Sequence, residues 1–288
     1  MGAATATAKQ FKTAFDSIHA FGYFAPELEA AFTAAGLRPG RMCYFAGRSA
    51  PMGAVGPEVV AATFYNFNPE VIARHIPRAW TLATPEQVVA ARFEGIDAAF
   101  TRLLGAEALA ADDIAEAAEL AREAASACRP EGRALYAGHT SVPWPDRPHL
   151  ILWHALTLLR EYRGDGHIAA LVLNGLGGLP ALVTHTATGN GFLAEAAKKS
   201  RGWSDEEWAA AEAELRETGV LAADGTLTEA GEALRERIEV ATNAAAEAPW
   251  THLGPEKTAR LEELCAGVGE RVVAAGAFPA GVFATGRP

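Results

Sequence analysis

PHLILWHALTLLREYRGDGH, Pro148 to His167, is the stretch on which the fold turns. Leu150, Ile151, Leu152, Trp153, Ala155, Leu156, Leu158 and Leu159 fall all round a helix, so the segment reads as buried. It nevertheless carries His154, Thr157, Arg160 and Glu161. At about 100° per residue, His154, Thr157 and Glu161 share one arc of roughly 60°, and Trp153 and Arg160 form a second stripe beside it. Burying an imidazole, a carboxylate and a guanidinium costs several kcal/mol unless they pair or meet a polar ligand. The segment is therefore either an internal ion-pair network or the wall of a polar pocket. The pocket is the preferred reading.

The 288 residues suffice for one large domain or two medium ones, and half of them are apolar, as in a globular protein. A net charge of −10 disfavours non-specific attraction to nucleic acid or anionic membrane. No apolar run reaches the length of a membrane span, and the N-terminus lacks the order of a secretory signal. The expected location is cytoplasmic. Cys43, Cys128 and Cys265 are odd in number and far apart, which reads as reduced, mostly buried thiols.

Outward from the central stretch, residues 1 to 36 favour helix and stop at Gly36. LRPGRMCYFAGRSAPMGAVGP then reads as a long irregular connection carrying Arg41 and Arg48, either of which could reach an anion. Pro57 opens a helix, with Tyr65 and Asn66 after its apolar part, and Asn68 caps the next. Thr84 to Gln87 is a capping box ahead of an amphipathic helix. RPEGRALYAGHTSVPWPDRPH reads as a connection rich in proline and glycine, with a soft boundary near residue 146 between halves 1–146 and 147–288. Gly164-Asp165-Gly166 reads as a break in the central helix. Asp165 would then cap the helix that follows, and His167 would lie in that helix's first turn, held neutral by the helix dipole. His185 falls near the end of the next helix, after the LNGLGGLP turn.

Ser204 to Glu207 is a second capping box, followed by a helix, a short strand, a turn at Asp224-Gly225, another short strand and a long helix. That order is a winged helix with a small β-hairpin wing, in a mainly α protein. Trp80 to Gly105 parallels Trp203 to Gly219 weakly, which allows two related halves. The phrases FYNFNPEVIARHIPRAW, LLREYRGDGHIAAL and RGWSDEEWAAAEAELRETGVL together resemble the SalK-type helix-turn-helix family of actinobacterial proteins, across about Tyr44 to Pro279. The resemblance implies an α-rich protein with winged-helix character. It implies no reaction, cofactor or catalytic residue.

The helix that would read DNA, Ser204 to Thr218, carries Asp205, Glu206, Glu207, Glu212, Glu214 and Glu217 against Arg216 alone. Known readers place Arg, Lys, Asn or Gln there, so DNA is not the expected partner. No P-loop, HExxH, GxSxG or dinucleotide fingerprint appears, and neither a cofactor nor a metal is expected. The expectation is a cofactor-independent enzyme or binder for a small polar or anionic metabolite, working by acid/base elimination, cyclisation or isomerisation. The alternative is a ligand-responsive regulator. His154, Glu161 and His167 are the candidate catalytic groups, with His154 and Glu161 about 10 Å apart along the axis. Arg48, Tyr65, Asn66, Trp153, Arg160, Asp165 and His185 are the candidate binding groups. A homodimer is allowed by the sequence.

Overall fold

The computed structural model describes residues 15–279, and among these the regular structure is all helical. The reading of residues 1–14 as helix-favouring lies outside the described residues. Two compact units are present. The first holds residues 15–56, 75–166 and 243–278, and the second holds 57–74 and 167–242. The units do not part near residue 146, because most of the central helix belongs with the N-terminal segments.

In the first unit the helix Pro26–Ala34 starts with proline in its first turn and buries Leu28 and Phe32. It packs along Pro85–Leu104. The capping box forms there as the sequence indicates, with the Gln87 N–H donating to Thr84 Oγ1 and the Thr84 N–H to Gln87 Oε1. The buried stripe of that helix runs Val88, Arg92, Ile96, Phe100, Leu103, so an arginine stands in line with apolar residues. Asp112–Ala125 buries Ile114, Ala117 and Ala121 and packs on Pro255–Ala274. Its outer acids pair with that helix, Glu116 with Arg260 and Glu123 with Lys257. The three cysteines are free and buried.

Both stretches read as irregular connections contain helices. Arg41–Ser49 forms inside the first because Met42, Cys43, Phe45, Ala46 and Ser49 all become buried. Burial outweighs a local density of proline and glycine that falls mostly at its ends. Ala134–Thr140 forms inside the second and buries Leu135, Tyr136 and His139.

The central helix runs unbroken over 26 residues, Pro148–Leu173. Gly164-Asp165-Gly166 does not interrupt it. A Cβ on Gly166 would lie 2.8 Å from Arg133 Nη1 and 3.1 Å from Ala245 Cβ, so this glycine serves close packing within the first unit. Helix geometry here is held by tertiary contacts, which offset the roughly 1 kcal/mol that each mid-helix glycine costs.

The second unit is built on Leu171, Leu182, Trp208, Leu215, Leu221 and Ile238. Asn68 caps Pro69–Ala73 through the Glu70 N–H at 2.9 Å, as expected. Ala194–Arg201 and Asp205–Glu217 are joined by a tight turn in which Gly202 takes the left-handed φ of 78°. The second of these helices carries the complete Ser204 capping box. The two strands and the wing expected after it do not form. A single antiparallel bridge joins Leu221 to Leu227, with the Ala222 N–H donating to the Thr226 carbonyl at 2.8 Å. Two such short segments with no third strand beside them gain too little to extend into a sheet. Among the described residues, no single helix is long and apolar enough to cross a membrane.

Candidate functional site

The polar stripe of the central helix meets three arginines from the first unit. Glu161, 1% exposed, accepts from Arg48 Nε at 3.1 Å and Arg48 Nη2 at 2.7 Å, a two-pronged pair. Its neighbour Arg160 donates to Glu161 Oε1 at 3.3 Å and lies 3.5 Å from the Tyr23 hydroxyl and 3.9 Å from Asp16. Burial alone would raise the Glu161 carboxyl. The Arg48 and Arg160 charges reverse this and hold it well below the usual carboxylate range.

Arg92 is the third guanidinium, and it is placed differently. It is 5% exposed, and among the described residues no carboxylate pairs with it. Its guanidinium stands 4.6 Å above the Trp153 ring, and Nη1 lies 3.4 Å from His139 Nδ1. Burial draws its pKa down to about 10. His139 is fully buried, and burial followed by the Arg92 charge keeps its imidazole neutral, well below the ordinary value. His19 stacks on Trp153 with ring centroids 5.4 Å apart, and neither ring nitrogen has a hydrogen-bond partner among the described residues. Burial and then the Arg160 charge hold it neutral too.

His154 packs edge-on against Trp144 at 4.8 Å and Phe93 at 5.7 Å, with Nε2 unpartnered among the described residues. Burial, then Arg92, lowers its pKa to about 4. Thr157 donates to the Trp153 carbonyl at 2.9 Å, so its hydroxyl is satisfied within the helix.

Beside this cluster lies a cavity of about 80 Å³. Arg48, Arg92, Tyr23, Tyr44, Phe32 and Leu28 line it, together with the exposed carboxylate of Glu29. Cys43 also lines it, but burial pushes that thiol up to about 11 and it donates to the Arg38 carbonyl, so it is not a poised nucleophile.

Of the residues singled out in the sequence, Arg48, Trp153, His154, Arg160, Glu161 and Asp165 belong to the first unit, and Tyr65, Asn66, His167 and His185 to the second. Asp165 accepts from the Tyr136 N–H at 2.9 Å and so caps Ala134–Thr140, the helix that carries His139, rather than a helix after its own. Burial raises its pKa to about 6. His167 lies inside the continuous central helix, and its Nδ1 is 2.9 Å from Thr242 Oγ1. That hydroxyl already donates to the Ile238 carbonyl at 2.7 Å, so Nδ1 carries the proton toward it. Tyr65 donates to the Leu176 carbonyl at 2.7 Å, and Asn66 accepts from Arg201 Nε at 3.3 Å and Trp203 Nε1 at 2.9 Å. His185 sits in Gly178–Ala187.

The sequence reading missed Arg92, His139, His19, Tyr23 and Tyr44. Arg92 had a signal, since it occupies the fourth residue after Val88 and before Ile96 on an apolar stripe. His139 had none, because its helix lies in a stretch dominated by proline and glycine.

Comparison with known proteins separates what is general here from what is particular. Neither the curated proteins nor the solved structures contain a match to this chain. Residues 8–279 match the sequence profile described as a helix-turn-helix family. With that match over nearly all of its length, and with two helices of the second unit joined by the Gly202 turn, the chain belongs to the helix-turn-helix family.

Proposed function

We propose that this protein binds a small anionic molecule in the cavity of the first unit, with Arg92 and Arg48 as the anchoring cations. The observation that carries the reading is Arg92, a 5%-exposed guanidinium that lines the cavity and that, among the described residues, is paired with no carboxylate. An unpaired buried charge costs several kcal/mol, which an anionic guest offsets through charge-assisted hydrogen bonds. Binding is favoured over acid/base turnover because Glu161, one of the two bases expected on the central helix, is locked between Arg48 and Arg160. At a hundredfold excess over Kd the anion adds about 2.7 kcal/mol of stability, a rise in Tm of about 5–10 °C. Thermal unfolding with a panel of small anions is expected to show that rise in the wild type and to lose it in Arg92→Met. An Arg92→Met protein that responds as the wild type does would overturn the proposal.

A second reading, a regulator that couples this ligand to DNA, is favoured by the family description. The winged-helix character and the narrower kinship with SalK-type actinobacterial proteins belong to it and rest on the phrases quoted above. The local charge argues against it. Arg216 is paired with Glu212 at 2.9 Å, Lys198 with Glu195 at 2.9 Å and Asp205 at 2.5 Å, while Arg201 lies over the Phe67 and Phe192 rings. Anisotropy with DNA from upstream of its own gene, at physiological salt, is expected to show no sequence-dependent binding.

A further inference from the structure

We infer that the anion taken by the Arg92 cavity is a short-chain monocarboxylate, with its carboxylate on Arg92 and its small apolar body against Phe32 and Leu28. This rests on the anion reading above and narrows it by charge, shape and size. Around the cluster the guanidiniums of Arg48, Arg92 and Arg160 face the carboxylates of Glu161 and Asp16, and the buried imidazoles of His19, His139 and His154 are neutral. Among the described residues Arg48 and Arg160 each have a carboxylate partner and Arg92 has none, so the charge for a guest to answer is that of Arg92. A single negative charge balances it, whereas a dianion leaves an uncompensated charge in a desolvated place.

Glu29 sharpens the choice. It lines the cavity as an exposed carboxylate, fixed by the Gly40 N–H at 2.9 Å, and its repulsion acts about twice as strongly on a dianion as on a monoanion. Shape points the same way. Phe32 and Leu28 offer no hydrogen bond, so an inorganic oxyanion would leave oxygens unsatisfied against them, while a methyl or methylene is at home there. Size sets the chain length. An engineered apolar cavity of ~150 Å³ takes benzene, and this one, at about 80 Å³, suits an occupant with about half to two-thirds as many non-hydrogen atoms. Acetate, with four, has the required charge, body and size, and propionate, with five, is the upper limit. The planar guanidinium fork of Arg92 matches a carboxylate edge.

The test is thermal unfolding and calorimetric titration of the full chain with acetate, propionate, benzoate, inorganic phosphate and uncharged propionamide, at constant ionic strength. Propionate is expected to raise Tm by about 5 °C at a hundredfold excess over its Kd. Phosphate and propionamide should fall at least tenfold short in affinity, and benzoate should be excluded. Ala25→Val, which adds bulk at a cavity wall remote in chemistry from the guanidiniums, should lose propionate before acetate. This variant keeps the test available if Arg92→Met fails to fold. Phosphate binding more tightly than propionate, with both lost in Arg92→Met, would overturn the carboxylate assignment and leave the anion site standing. No response to any anion would overturn both.

Discussion

Acidification from pH 7.5 to pH 5 is expected to destabilise the first unit steeply, by up to about 3 kcal/mol per pH unit in the lower part of that range. The source is three imidazoles held neutral by burial: His19 at 2% exposure, His139 at 0% and His154 at 1%. In the unfolded chain each titrates near pH 6.5. A folded pKa below the unfolded one means that the unfolded state binds the protons, so stability is full above about pH 6.5 and drains as pH falls toward the folded values. Three protons taken up on unfolding give the slope, at about 1.4 kcal/mol each per pH unit. His149 is left out of the count, because burial lowers it while Asp97 stands 2.8 Å from its Nε2 and favours the charged ring.

Asp165 acts in the opposite direction. With its folded pKa raised to about 6, it binds a proton in the folded state before the unfolded chain does, which returns about 1.4 kcal/mol per unit between roughly pH 6 and 4. The net loss therefore builds as pH falls through 6.5 and levels off at about 3 kcal/mol per unit between roughly pH 6 and 5. Urea midpoints at pH 7.5, 6.0 and 5.0, followed by tryptophan fluorescence, measure it. His19→Phe should remove about a third of the slope, and Asp165→Asn should steepen its lower part. Equal midpoints at pH 7.5 and 5.0 would show that these rings are not buried neutral.

The second large effect concerns Glu161. Glu161→Gln removes the carboxylate charge and leaves Arg48 and Arg160 without their shared partner, close to an already unpaired Arg92. Breaking a buried pair from one side costs about 3–5 kcal/mol, a large share of the 5–15 kcal/mol that holds a typical domain together. Arg48→Met should also be costly, since it takes the two-pronged partner from a carboxylate that is 1% exposed and leaves it Arg160 at 3.3 Å. The double variant should cost clearly less than the sum of the two, because each single change already breaks the same pair. Urea unfolding of the four proteins gives the coupling. A loss below about 1 kcal/mol for Glu161→Gln would mean that water reaches this carboxylate and that the network is not a closed one.

Most helix starts were legible in the chain because their causes are local. Thr84, Ser204 and Asn68 cap through side chains two or three residues from the groups they satisfy, so the pattern alone announces them. The buried character of Pro148–Leu173 was legible as well, since apolar residues all round a helix leave no face for water. The strands after Thr218 were misread from local pattern, because a strand exists only with partners and the chain supplies a single bridge there. The glycines of Gly164-Asp165-Gly166 were misread for a related reason. A glycine can mean a break or a close approach, and only the position of Arg133 and Ala245 against Gly166 selects the second.

The sequence by itself determined that the central helix buries ionisable groups needing compensation, since burial follows from composition and its cost from electrostatics. Tertiary structure alone decided what compensates each one. Arg48 lies 113 positions before Glu161 and closes on it, while Arg92 lines a cavity and meets a neutral imidazole and an indole face in place of a carboxylate. Pairing at that separation depends on how helices pack, and no periodicity within a helix records it.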